Sequence, residues 1–163
     1  MNPTSNEIKG YQFERWVVKR FPEELFPLQE WRSDKHVGER YPASCKNPDL
    51  VFKQLGLGRR SFFAVECKWK ERLQEDLYPW VETRKRKVYN NLGVRLAIPV
   101  HIALGIGGEA DEPKNVFLIP LEKVKHIDHL DQSLLDKYIW PENLQKLKSY
   151  LTPNIESRAN ELF

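Results

Sequence analysis

Apolar and polar positions along the chain predict a helix, a group of strands, a second helix, further strands and a helical tail. A polar cap within residues 4–6 precedes helical apolar spacing that ends at a proline. Residues 28–33 favour a strand, and residues 98–106 and 116–119 favour two more, joined by a polar turn at residues 107–114. This order predicts an α/β (α+β) chain with a central mixed sheet flanked by helices.

The middle of the chain predicts an antiparallel hairpin. Residues 50–52 and 62–69 are rich in β-forming side chains and are joined by a turn containing Gly-Leu-Gly-Arg-Arg. In the second strand both alternating sets of side chains are apolar, which is typical of a strand covered on two faces. With the turn centred between Leu57 and Gly58, residues that face each other have numbers that sum to 115.

This register places three charged residues together. Asp49 lies opposite Glu66, and Lys68 shares the face of Glu66 because strand side chains alternate. Two adjacent carboxylates repel each other unless a proton or a cation lies between them, so a divalent cation is their natural partner. Oxygen ligands select magnesium or manganese, and the backbone carbonyl of Cys67 offers another oxygen. A lysine beside such a cation orients an attacking water or stabilises developing negative charge.

Helical patterns follow the hairpin and return at the end of the chain. Residues 79–92 predict a strongly basic helix, in which Lys85 interrupts an apolar stripe. Residues 130–138, 142–151 and 156–163 predict the helices of the C-terminal tail.

Length and composition indicate a single globular domain spanning residues 1–163, with 40% hydrophobic and 30% charged residues. The net charge is only +3, so attraction to phosphate depends on where the lysines and arginines lie. Cys45 and Cys67 are too few for a disulfide framework and lack zinc-binding spacing. No apolar stretch is long enough to span a bilayer, and the first residues lack the apolar core of a signal peptide. The expectation is a cytoplasmic protein with no membrane partner.

The sequence resembles the PD-(D/E)xK nuclease superfamily, which includes many restriction enzymes and Holliday junction resolvases. Pro48-Asp49 matches the first half of the superfamily motif, and Glu66-Cys67-Lys68 matches the second. The resemblance implies a restriction-endonuclease-like core at residues 6–121, followed by a helical extension at residues 122–163. It also implies a Mg²⁺-dependent endonuclease that hydrolyses DNA, with the two acids as metal ligands and the lysine assisting the attacking water.

The resemblance extends to residues outside the motif. In many members a glutamate on the first helix faces the site, and Glu14 is the matching residue here. In related families a glutamine, lysine or arginine on the helix after the ExK strand points into the site, which implies Lys85, with Arg84 second. Phosphate contacts are expected from basic residues, although a run of charge on a helix is more often solvated. These candidates are Arg59, Lys70, Arg84 and Lys87.

Two other functions stay open. A module that keeps this fold without cutting would bind nucleic acid without turnover, and an interaction protein would use the helical tail as its working surface. The sequence does not decide between DNA and RNA, or between duplex, branched and single-stranded substrates. Many nucleases of this kind act as homodimers to cut two strands, so a homodimer is an expectation by analogy.

Overall fold

The computed structural model describes residues 4–32, 48–56, 61–72, 98–127 and 129–161. Its strands form one mixed five-stranded sheet, in which the strand order follows the sequence. All neighbouring strands are antiparallel except β3 and β4, which run parallel. The predicted central mixed sheet is therefore confirmed. The strands are β1 (Leu28–Trp31), β2 (Leu50–Lys53), β3 (Phe62–Lys70), β4 (Val100–Glu109) and β5 (Glu112–Pro120).

The first helix, α1 (Ser5–Arg20), begins after the predicted polar cap and ends before the predicted proline. The Thr4 side chain accepts a hydrogen bond from the Glu7 N–H, and the Glu7 carboxylate accepts one from the Thr4 N–H. This reciprocal capping box satisfies two backbone donors that a helix start would otherwise expose. Pro22 follows the C-cap residue Phe21, so the helix does not continue and the chain turns toward β1.

The C-terminal half contains helices that differ in part from the prediction. The helices that the structure describes after β5 are α2 (Leu121–Val124), α3 (Gln132–Leu135), a 3-10 turn (Asp136–Tyr138) and α4 (Leu144–Glu161). The prediction of separate helices at residues 142–151 and 156–163 was wrong, because α4 continues through Pro153. A proline removes one backbone donor, but its local breaking tendency is overridden when the turns on both sides stay helical.

The β4–β5 hairpin also corrects a boundary. The predicted polar turn at residues 107–114 was too long, because pairing continues to Glu109 and Glu112. Gly107 and Gly108 adopt φ values of 75° and 65° within the strand, a conformation that glycine accepts without steric cost. A Cβ added at Gly108 would lie 2.5 Å from the Glu112 carbonyl oxygen, so a side chain there would collide with the paired strand.

Helices cover both faces of the sheet. α1 and α4 pack on one face through Phe13, Val17 and Leu147, while α2 and α3 pack on the other through Val124 and Leu135. No helix among the described residues is long and apolar enough to cross a membrane.

β3 contributes side chains to the hydrophobic clusters on both faces of the sheet. Phe63, Ala64 and Val65 have no exposed surface, which confirms that this strand is covered on two faces. A strand held on both faces is a rigid support for chemistry at its end.

Candidate active site

The register of the β2–β3 hairpin is the predicted one. Leu50 pairs with Val65, and Lys53 pairs with Phe62, so the residue numbers of each pair sum to 115. Asp49 directly precedes the first paired residue of β2. Continuing the register by one position places Asp49 opposite Glu66, at the point where β2 begins.

Asp49 is fixed by hydrogen bonds on both of its sides. Its Oδ2 accepts a hydrogen bond from the Cys67 N–H at 2.8 Å, and its carbonyl oxygen accepts one from the Arg32 N–H at 2.8 Å. The side chain thus takes the place of a backbone acceptor where the β2–β3 ladder ends. Because Asp49 is completely buried, both hydrogen bonds are shielded from water. The bond to Oδ2 holds the carboxylate in position, and the bond to the carbonyl oxygen holds its backbone.

Glu66 occupies the kind of ladder position at which two strands approach most closely. The Ala64 N–H donates to the Pro99 carbonyl at 2.9 Å, so the backbone groups of even-numbered β3 residues point toward β4. Those of odd-numbered residues, such as Cys67, point toward β2. The Asp49–Glu66 position is therefore a non-hydrogen-bonded one, where opposite Cα atoms lie about 4.5 Å apart.

Lys68 lies on the same face of β3 as Glu66. Glu66 pairs with Ile102 and Lys68 with Leu104, and both partners belong to the core on the α2–α3 face. Glu66 is 7% exposed and Lys68 is half-buried. The structure thus brings together, at one end of the hairpin, the three residues that the sequence predicted.

Glu14 approaches the start of β2 from the other face of the sheet. It is a buried residue of α1, and its Oε2 accepts a hydrogen bond from the Trp31 indole N–H at 2.9 Å. Trp31 pairs with Leu50, the residue after Asp49. The indole explains how an acid is tolerated in the apolar row of α1, a partner that sequence reasoning missed because it lies 17 residues away. The role of Glu14 at the site stays a prediction.

The structure describes only some of the other predicted site residues. Lys70 is exposed at the end of β3. Arg59, Arg84, Lys85 and Lys87 lie outside the described residues. Within the described part of the chain, no three His, Cys, Asp or Glu side chains are arranged to hold a metal ion. Any cation at this end of the hairpin would therefore depend on ligands beyond such a cluster, such as backbone and substrate oxygens.

A buried histidine lies on the α1 side of the sheet, away from the face of Glu66 and Lys68. His101 pairs with Val65 and contacts the rings of Phe63 and Tyr150. Burial lowers the pKa of His101 to about 4. The imidazole is therefore neutral at physiological pH and belongs to the core.

Comparison with known proteins found a similarity in three-dimensional structure only. No protein-family model and no curated protein matches the sequence. The fold is similar to that of Hjc from Archaeoglobus fulgidus, a Holliday junction resolvase from an archaeal hyperthermophile, with a TM-score of 0.55 and 17% sequence identity. The likeness covers 79% of this chain and 93% of the resolvase. The chain therefore has a restriction-endonuclease-like fold, as the motif resemblance implied.

Proposed function

We propose that this protein is a Mg²⁺-dependent endonuclease of the PD-(D/E)xK superfamily that hydrolyses DNA phosphodiester bonds, with residues 1–163 acting as a single nuclease domain. The observation that carries the proposal is the hairpin register, which sets Asp49 against Glu66 with Lys68 on the same face. A fold similar to that of a Holliday junction resolvase supports it. Neither observation is expected of an arbitrary pair of strand-end acids.

The donor set suits a hard divalent cation. Asp49 and Glu66 offer carboxylate oxygens, and magnesium in proteins is commonly held by one or two carboxylates together with waters and substrate phosphate. The Cys67 N–H donates to Asp49, and the N–H and C=O of a strand residue point toward the same neighbouring strand. The Cys67 carbonyl is therefore directed to the side on which Asp49 lies. Magnesium or manganese bound there would neutralise phosphate charge and acidify the attacking water.

The remaining roles follow from charge and position. Lys68 places an ammonium beside the two carboxylates, where it orients the attacking water and stabilises charge that develops on the phosphate. Glu14 is proposed as an auxiliary acid that acts from the α1 side. Lys85 is proposed as a cation that orients the substrate. Contacts with substrate phosphates are assigned to Arg59, Lys70, Arg84 and Lys87.

Cleavage of labelled DNA tests the proposal. Single-stranded, duplex and four-way-junction DNA are incubated with the purified protein in magnesium, in manganese and in chelator. We expect cleavage only with a divalent cation, and a loss of about 10²–10³-fold in Glu66→Gln and Lys68→Ala, the size found when one transition-state contact is removed. Lys53→Ala is the matched control, because Lys53 lies at the far end of β2 and packs over the Phe62 ring.

The outcomes separate the competing functions. Cleavage that survives both Glu66→Gln and Lys68→Ala contradicts the assigned site. Binding of DNA without turnover under every metal condition would instead identify a non-cleaving module of the same fold. Mass in solution, measured with and without DNA, tests the homodimer expected by analogy, since two copies would present two sites for two strands.

A further inference from the structure

Two aromatic rings stack at the edge of the sheet, beside the start of β2. The Tyr11 and Trp31 rings are nearly parallel, with an interplanar angle of 12° and centroids 5.5 Å apart. This offset stack is a favoured arrangement of aromatic side chains. The hydrogen bond from the Trp31 indole to Glu14 fixes the orientation of the Trp31 ring. Tyr11, by contrast, is 44% exposed, so the stack runs from the half-buried Trp31 ring to the protein surface.

Two basic residues, Arg15 and Lys19, follow Tyr11 at helical spacing on the exposed side of α1. Two glutamates also lie one turn from Tyr11, and both accept hydrogen bonds: Glu7 from the Thr4 N–H and Glu14 from the Trp31 indole. The Arg15 guanidinium lies 6.0 Å from the centre of the Tyr11 ring. Glu30 neighbours Trp31 in sequence, but it points to the other side of β1 and forms an ion pair with Arg32. An exposed ring with a guanidinium beside it suits a nucleotide, which combines a flat base with an anionic phosphate.

The backbone of Trp31 also lies close to that of Asp49, one of the proposed catalytic acids. Trp31 pairs with Leu50, and the Arg32 N–H donates to the Asp49 carbonyl. From the spacing of adjacent strands and the rise per residue, the Cα atoms of Trp31 and Asp49 are about 6 Å apart. The Trp31 ring lies on the α1 face of the sheet with Leu50, whereas the acids face the other side, so a DNA strand that reaches both would pass around the start of β2.

We propose that Tyr11 and Trp31 form a stacking platform for an unpaired base of the DNA strand that the site cuts. That this strand is cut rests on the proposed function. A paired base in an intact duplex is already stacked on both sides and does not present its face to the platform. The protein is therefore expected to prefer DNA with unpaired nucleotides near the cut, such as a single strand, a flap or an opened branch point.

Binding measured without catalysis tests the platform. A fluorescently labelled oligothymidine and a blunt duplex of equal length are titrated with the protein in chelator, so that no cleavage occurs. Tyr11→Leu keeps a helix-forming apolar side chain and removes the ring, and Tyr11→Phe restores the ring. We expect Tyr11→Leu to weaken oligothymidine binding about tenfold, the lower end of the range for one stacked base, and to change duplex binding little. Tyr11→Phe is expected to bind as the wild type does.

Ile8→Ala provides the matched control. Ile8 is also 44% exposed and lies on the same side of α1, but it has no aromatic face. The platform is contradicted if the wild type binds no oligothymidine, or if Tyr11→Leu binds it as tightly as the wild type. An equal loss for duplex, or an equal loss in Ile8→Ala, also contradicts it, since either result would indicate a general basic surface or an apolar protein-binding patch.

The platform and the nuclease fail in different assays. If Tyr11→Leu loses oligothymidine binding but the wild type cuts no DNA in magnesium, the stacking site stands and the proposed hydrolysis fails. If cleavage depends on Glu66 while Tyr11→Leu retains full binding, the nuclease stands and the platform fails.

Discussion

The two rows of side chains on β3 differ in what surrounds them. The row that faces α1, which includes Phe63, Val65 and Cys67, stays apolar and packs against helices along its length. The opposite row begins with Phe62 and Ala64 but changes to Glu66 and Lys68 where β2 begins. One strand therefore obtains rigidity from one face and presents charged groups on the other.

This difference explains why a carboxylate can be held so firmly at the end of a hairpin. The packed row fixes the β3 backbone, and the Cys67 N–H on that backbone binds Asp49. The charged row then stands beside Asp49. Substitutions in the two rows should consequently affect different measurements, namely stability for the packed row and catalysis for the charged row.

The largest expected effect comes from a substitution in the packed row, the α1-facing side chains of β3. Phe63→Ala removes a fully buried ring that contacts the rings of Phe21, Phe26 and Phe52. We expect the free energy of unfolding to fall by about 4 kcal/mol, because a large cavity replaces the ring. Denaturant unfolding measures this change. Phe62→Ala, on the opposite row, is the control and should cost about 1 kcal/mol, since that side chain is only partly buried. Equal costs in the two variants would contradict the comparison.

A buried histidine beside the packed row predicts a dependence of stability on pH. The pKa of His101 is lowered by burial from 6.5 to about 4, so between these values the unfolded chain binds more protons than the folded one. Stability is therefore present above pH 6.5 and lost as the pH falls toward 4, by about 3 kcal/mol. Unfolding measured across this range should show a shallower loss in His101→Leu.

The exposed histidine His126 supplies the control for that experiment. His126→Gln should retain the acid sensitivity of the wild type, because its side chain is exposed on the surface. If His101→Leu loses stability in acid as steeply as the wild type, burial of this imidazole is not the source of the effect.

The smallest expected effect on stability comes from a substitution at the start of α1, the helix that covers the packed row. Thr4→Ala removes the side-chain half of the α1 capping box and should lower the free energy of unfolding by about 1 kcal/mol. Ser5→Ala, one residue later, leaves the cap intact and should change stability by less. Cleavage by the Thr4 variant should persist under conditions where it remains folded, since the charged row lies on the opposite face.

Local signals in the sequence predicted much of the hairpin and of α1. The glycines around Leu57 indicate the turn, and the turn determines the register that sets Asp49 against Glu66. Thr4 and Pro22 mark the limits of α1 because capping and chain-breaking are properties of single residues. Boundaries were wrong where the surrounding structure overrides such signals, as at Gly107 and Pro153.

Contacts between distant segments could not be predicted in the same way. Nothing local indicates that Asp49 uses its side chain to complete a ladder, or that the Trp31 indole binds Glu14. The exposed stack of Tyr11 on Trp31 was missed for the same reason, since its two members belong to different elements. Hydrophobic periodicity reports which face of an element is buried, but it does not report what covers that face.

The parallel pairing of β3 with β4 has a consequence for the order of folding. Two parallel neighbours need a long connection, here residues 71–99, whereas only residues 54–61 separate β2 from β3 and only residues 110–111 separate β4 from β5. Closing a long loop costs more entropy and slows the search for the native topology. We therefore expect each hairpin to form first and their docking to limit the folding rate. The acids would then meet early, and the apolar layer behind β4 would shield them only in the last step.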